Sequence, residues 1–187
     1  MNTIGNVTRD SFSFSSSLEP ANVGVRLENS SFNTLGGELS VENYLYGVSL
    51  DEPSRHNTLL PAGSKLLAQH AQTVLLISSD SNSVGGYRPD QPPTCIKATA
   101  AKSIVGIEGV RYPTLHILGN SNHFGVKHVL LIVELDEVSI GISSEGRDNK
   151  FALNLTIKNS TWLGVDIPGS WFNRCACSKI RTDDTGL

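Results

Sequence analysis

The sequence predicts a mostly β fold: an antiparallel sandwich, jelly roll or barrel-like arrangement with at most one or two short helices. Three observations carry that expectation. Only 18% of the residues are charged, against about 25% in ordinary soluble domains. Ser, Thr, Asn and Gly fill the deficit, a composition that suits strands and turns better than long solvent-facing helices. Several short segments alternate apolar and polar residues, the period of a strand with one buried face, and Gly, Pro, Asn and Ser clusters punctuate them. A chain of 187 residues that is 39% hydrophobic can build one packed core, so a single domain over 1–187 is expected.

Residues 1–18 are Ser- and Asn-rich and lack an apolar period. Phe12 and Phe14 alternate with Ser, so this flexible arm is read either as disordered or as an edge strand that pairs on a neighbouring subunit. Val23, Val25 and Leu27 then alternate with Gly24, Arg26 and Glu28, a half-buried strand. In "LSVENYLYGVSL" Leu39 and Val41 have one parity and Tyr44, Tyr46, Val48 and Leu50 the other, which a bulge or bend near Glu42–Asn43 would reconcile. "DEPSRHNTLLPAGS" is a loop broken by Pro53, Pro61 and Gly63. "KLLAQHAQ" is the best helical candidate, with Ser64 as its N-cap, and it reads equally as a strand.

"TVLLISS" is a short strand rich in β-branched and leucine residues. Asp80–Pro93 is the longest loop. Its Tyr87–Arg88 pair beside a proline-rich stretch has the composition of a recognition loop. "TCIKATAAKSIVGI" reads as a strand followed by a bend or short helix. "YPTLHILG" is a strand, and "VKHVLLIVELDEVSIGIS" is one long strand or a hairpin turned at Asp136–Glu137. Phe151, Leu153, Leu155 and Ile157 alternate with polar neighbours as the cleanest amphipathic strand. Residues 178–187 read as a flexible tail. About eight to ten strands result, with no internal repeat evident.

The chemistry-bearing candidates are few. "GNSNHFGVKHVLLIVELDEVSIGI" places His123 and His128 around a turn. If 113–118 and 126–132 pair as a hairpin, His116 joins them, and three imidazoles with Glu134 or Asp136 would suit a divalent metal. The plainer alternative is a turn feeding a strand. Cys175 and Cys177 in "CAC" fall short of the four ligands of a structural zinc site and read as small core residues. No Gly-x-Ser-x-Gly elbow, phosphate loop or dinucleotide fingerprint is present. Trp171 and Phe172 follow a Pro-Gly turn and either close the core or anchor a subunit contact.

A formal net charge of −3 with fifteen scattered Lys and Arg disfavours nucleic acid as a partner. No run of ~18 apolar residues suggests a membrane span and no apolar leader marks export, so the cytoplasm of the producing or host cell is the expected location. No cofactor is implied. The expected function is a non-enzymatic structural, assembly or binding protein, of the viral or phage structural-subunit kind, with another copy of itself or another protein as partner. The alternatives are a small metal-dependent enzyme built on the histidines and a ligand-binding β module whose mouth is formed by the 80–93 and 119–125 loops.

Overall fold

A computed structural model of the chain describes residues 23–42, 44–86, 88–99, 113–125, 131–159, 163–166, 174–175 and 181–183. These residues are all-β, as the composition suggests, and among them no helix is long and apolar enough to cross a membrane. The strands come in threes. The first turn of chain contributes β1 (Val23–Leu27), β2 (Thr34–Leu35) and β3 (Glu38–Glu42), and the second β4 (Tyr46–Leu50), β5 (Thr58–Leu59) and β6 (Lys65–Gln69). The third has β7 (Thr73–Ile77), β8 (Ser83–Val84) and β9 (Cys95–Thr99), and the fourth β10 (Pro113–Ile117), β11 (His123–Phe124) and β12 (Leu131–Asp136). The fifth has β13 (Ile140–Ser144), β14 (Lys150–Phe151) and β15 (Leu153–Lys158), and the sixth β16 (Leu163–Asp166), β17 (Arg174–Cys175) and β18 (Arg181–Asp183).

Each strand pairs with the strand three places along the chain, in parallel, so three six-stranded sheets run side by side. Sheet 1 is β1-β4-β7-β10-β13-β16, sheet 2 is β2-β5-β8-β11-β14-β17 and sheet 3 is β3-β6-β9-β12-β15-β18. The described residues therefore form a solenoid of six stacked rungs, a parallel β-helix. This overturns the expected antiparallel sandwich or jelly roll. The expected hairpin of 113–118 with 126–132 is also absent, because β10 and β12 lie in different sheets. Two readings that the sequence left open are decided with it. "KLLAQ" is strand β6, and the parity switch at Glu42 is the corner between a sheet-3 strand and a sheet-1 strand.

The physical reason for the misreading is specific. Parallel sheets in most proteins are covered on both faces and read as continuous apolar runs, whereas clean alternation marks a sheet with one wet face. Here the sheets wrap a single core, so each has one wet face although its strands are parallel. Parallel strands also need a long crossover, and in this chain the crossover consists of the other two strands of the rung. The core is built from register columns. In sheet 3, Leu39, Leu66, Ile96, Val133 and Leu155 stack as consecutive partners, each 1% exposed or less. In sheet 2, Leu35, Leu59, Val84, Phe124 and Phe151 also stack as consecutive partners, each 2% exposed or less. The Phe124 and Phe151 rings stack with centroids 4.9 Å apart, a contact worth about 0.5–1.5 kcal/mol beyond its buried area.

The corner between sheets 1 and 2 holds a second column, made of buried asparagines. The Oδ1 of Asn57 accepts the backbone N–H of Asn33, that of Asn82 the N–H of Asn57, that of Asn122 the N–H of Asn82, and that of Asn149 the N–H of Asn122, at 2.8–2.9 Å. The side-chain amides are also used: Asn57 Nδ2 donates to Ser30 O, Asn122 Nδ2 to Ser79 O and Asn149 Nδ2 to Gly119 O, all at 3.0 Å. Asn57, Asn82, Asn122 and Asn149 are at most 1% exposed. Beside them the turns approach closely. A Cβ on Gly119 would lie 1.9 Å from Ser79 O, and one on Gly146 would lie 1.9 Å from Gly119 O. Only glycine lets the backbone stack there.

Two tests follow from this packing. Asn82→Ala removes the acceptor of the Asn57 N–H and the donations of the Asn82 amide to Ser79 Oγ and Asp80 O. Stranding a buried donor costs about 1–3 kcal/mol, so a loss of roughly 2–4 kcal/mol in denaturant unfolding is expected. Leu155 is 1% exposed and its neighbour Asn154 is exposed. Leu155→Asp should abolish folding by burying a charge, while Asn154→Asp should stay within about 0.5 kcal/mol of the parent; equal behaviour would contradict the inward assignment.

Candidate binding face

The sheet-2 strands are two residues long, and in β2, β5, β8, β11 and β14 the second residue points into the core. Because successive side chains alternate, the first residue points outward. The outward column therefore runs Thr34, Thr58, Ser83, His123 and Lys150. It changes character along its length, from three hydroxyls to an imidazole and an ammonium. His123 and Lys150 are exposed, and the hydroxyl residues are half-buried.

A parallel row lies two residues earlier, at the turn into sheet 2. Phe32, His56, Ser81, Ser121 and Asp148 all have left-handed backbones, with φ between 55° and 59°. This conformation swings the following asparagine inward, and His, Asn and Asp tolerate it better than bulky residues do. Phe32 is the outlier. It is 73% exposed, the most exposed large hydrophobic among the described residues, and its ring stacks on His56 at 5.2 Å with a 23° interplanar angle.

The remaining candidates are dispersed. His116 is on β10 of sheet 1, where its Nε2 bonds Glu145 Oε1 at 2.9 Å, and His123 is on β11 of sheet 2. Among the described residues no three of His, Cys, Asp and Glu come together as a metal site. His128, Phe12, Phe14, Tyr87, Trp171, Phe172 and Cys177 lie outside the described residues. Arg88 is exposed in the loop before β9, and its carbonyl accepts the Gln91 N–H at 3.1 Å. The 80–93 and 119–125 loops meet at several points, among them the Ser81 N–H on Asn120 O and the His123 N–H on Asn82 O, both at 2.9 Å. Asp80 Oδ1 accepts the Asn120 N–H at 2.7 Å, as one stacked turn on the next.

Sequence reasoning missed Phe32, His56, Lys150 and the asparagine column. The signal was present in "FNTL", "HNTL", "SNSV", "SNHF" and "DNKF": a turn residue, the buried Asn, an outward polar residue and an inward apolar one. "FNRC" at 172–175 repeats the pattern in the sequence. No protein-family model matches the chain, and comparison with curated proteins and with solved structures also finds no match. The site must be argued from its own chemistry.

Electrostatics single out the basic half of the column. Partial burial, and secondly the positive charge of Lys150, push the His123 imidazole below its ordinary value. The unfolded chain then binds a proton at pH values where the folded chain does not. Stability is accordingly full above the ordinary histidine pKa and declines as pH falls from there toward the lowered folded value. An NMR titration of the His123 ring should give a pKa below that of a free histidine. Lys150→Gln should raise it part of the way back, since burial, the larger cause, remains.

Proposed function

We propose that this chain is a non-enzymatic solenoid subunit that works by assembly and binding, as a structural component of a larger homo-oligomeric particle of the virus or phage kind. The observation that supports this reading is Phe32. A phenylalanine in the left-handed region stores about 1–3 kcal/mol of strain, and exposing its ring forfeits the burial that would offset it. The same turn position accepts Ser81, Ser121 and Asp148 in other rungs, so the fold does not require an aromatic there. An exposed aromatic stacked on an imidazole is instead suited to a contact with another molecule, where aromatic residues are enriched. A rigid rod with rows of side chains in fixed register is also a suitable building block, because each row repeats its geometry from rung to rung.

The test separates stability from assembly. Phe32→Asn puts a residue that tolerates the left-handed region at this turn, so the variant should unfold about 1 kcal/mol later than the parent. Native mass spectrometry over a concentration series should find the parent oligomeric and the variant shifted toward monomer. A parent that stays monomeric at every concentration, or a monomer carrying one stoichiometric metal ion, would overturn the reading.

A further inference from the structure

We propose that the open edge of the first rung is a docking surface for residues 4–22 of this same chain, which stack on β1, β2 and β3 as a further rung of the solenoid. Among the described residues each of these strands has a neighbour on one side only: β1 pairs with β4, β2 with β5 and β3 with β6. Such an edge is a template for another strand. The asparagine column ends at the same place. Asn57, Asn82, Asn122 and Asn149 each accept a backbone N–H through Oδ1, whereas among the described residues no N–H donates to the Oδ1 of Asn33.

Burial points the same way. In a solenoid each repeat covers its core with its neighbours, so an end repeat with water beyond it leaves one flank open. Yet Leu39 and Val41 of the first rung are 1% exposed or less, as low as Ile96 and Val133, which have rungs on both sides. A further layer over the first rung accounts for that burial.

The sequence before β1 has the length and pattern of such a layer. From the first rung to the second the register along sheet 1 advances by 23 residues, Val23 to Tyr46 and Leu27 to Leu50, and from Ile140 to Leu163 it does so again. Counting 23 back from core positions of the first rung gives apolar residues: Ile4 for Leu27, Phe12 for Leu35 and Leu18 for Val41. Ile4, Phe12, Leu18 and Val23 are thus spaced 8, 6 and 5 apart, as are Leu27, Leu35, Val41 and Tyr46. Outward positions also match, with Ser11 for Thr34 and Ser17 for Ser40. Asp10 falls at the corner, where its N–H meets the unused Oδ1 of Asn33. Ser16 departs from the pattern at the position of Leu39, and end repeats of solenoids are commonly atypical.

The occupant is the chain's own segment and not that of a second copy. Asn22 joins Val23 directly, and the step from Leu18 to Val23 equals the step from Val41 to Tyr46 that leads from one rung to the next. Covalent linkage then holds the segment at high effective concentration. This inference goes beyond the assembly reading and does not rest on it: a covered edge leaves the sides of the rod, where Phe32 lies, to meet other molecules.

Hydrogen exchange of the full chain, read by mass spectrometry at a high and a low protein concentration, tests the proposal. Amides of residues 11–18 should exchange about tenfold or more slowly than in a free peptide of the same sequence, equally at both concentrations. Phe12→Asp should remove that protection and speed exchange in β2 and β3 about tenfold or more, with β12 and β15 unchanged. Leu18→Ser should give the same result by a milder change. Ser11→Asp, at an outward position, should leave the protection in place. Exchange at the free-peptide rate would overturn the proposal, as would equal effects of Phe12→Asp and Ser11→Asp. Protection lost on dilution would also overturn it, by giving the edge to a segment from a second copy.

Discussion

At the corner of each rung a backbone N–H is buried where no strand of the neighbouring rung offers it a carbonyl. The asparagine one rung on supplies the acceptor, four times in succession from Asn33 to Asn149. This is the constraint on which the rest of the structure depends. A buried donor without a partner costs about 1–3 kcal/mol, and the bond exists only if each rung's corner sits directly above the next. A slip of one residue would break the bond and turn every inward side chain outward. The asparagine column therefore fixes the register of all three sheets, and rungs of unequal length are brought into line. Successive sheet-1 strands begin at residues 23, 46, 73, 113, 140 and 163. The extra residues of the third rung are carried between β8, β9 and β10, while its corner at Asn82 stays in register.

In-register stacking has consequences for every side chain. Inside, like stacks on like: leucine on leucine in sheet 3 and Phe124 on Phe151 in sheet 2. Apolar residues gain from this, since the ring faces and branched side chains nest at the strand spacing. Outside, the same geometry turns any repeated charge into a repulsive ladder. Sheet 3 avoids that by alternating sign along its columns, with Lys97 over Glu134 and Lys158 between Asp136 and Asp183.

The strands themselves were legible in the sequence because alternation is a local property. Leu155 inward and Asn154 outward follow from parity alone, and both hold. Their partners were not legible. Parity does not distinguish a parallel neighbour from an antiparallel one, and the usual guide to direction, a covering helix, is missing because two strands take its place. The repeat was hidden for a related reason. Its invariant part is one asparagine between a turn residue and a polar–apolar pair, at spacings set by loops of different length, so no fixed period appears. Read as loop residues, "HNTL" and "SNSV" look like ordinary turns. His116 and His123 could be grouped only by assuming a hairpin, and the corner between β10 and β11 sends them to different sheets.

A fold held by one repeated residue gives a way to separate what the architecture demands from what it merely permits. At the corner the demand is strict, and Asn33, Asn57, Asn82, Asn122 and Asn149 meet it. One residue earlier the backbone must be left-handed, and His56, Ser81, Ser121 and Asp148 meet that condition at modest cost. Phe32 meets it at a higher cost, with its ring left in solvent. One residue later the side chain must only point outward, which Thr34, Thr58 and Ser83 satisfy as readily as His123 and Lys150. The exposed ring of Phe32 does not improve the packing of the solenoid and lowers its stability. Left-handed backbones occur at other turns as well, at Leu60, His70, Glu137 and Asn159, but Leu60 is buried in the core and the other three are polar. Among the described left-handed residues Phe32 alone leaves a large hydrophobic side chain in solvent, and that is the physical ground for placing function at its turn.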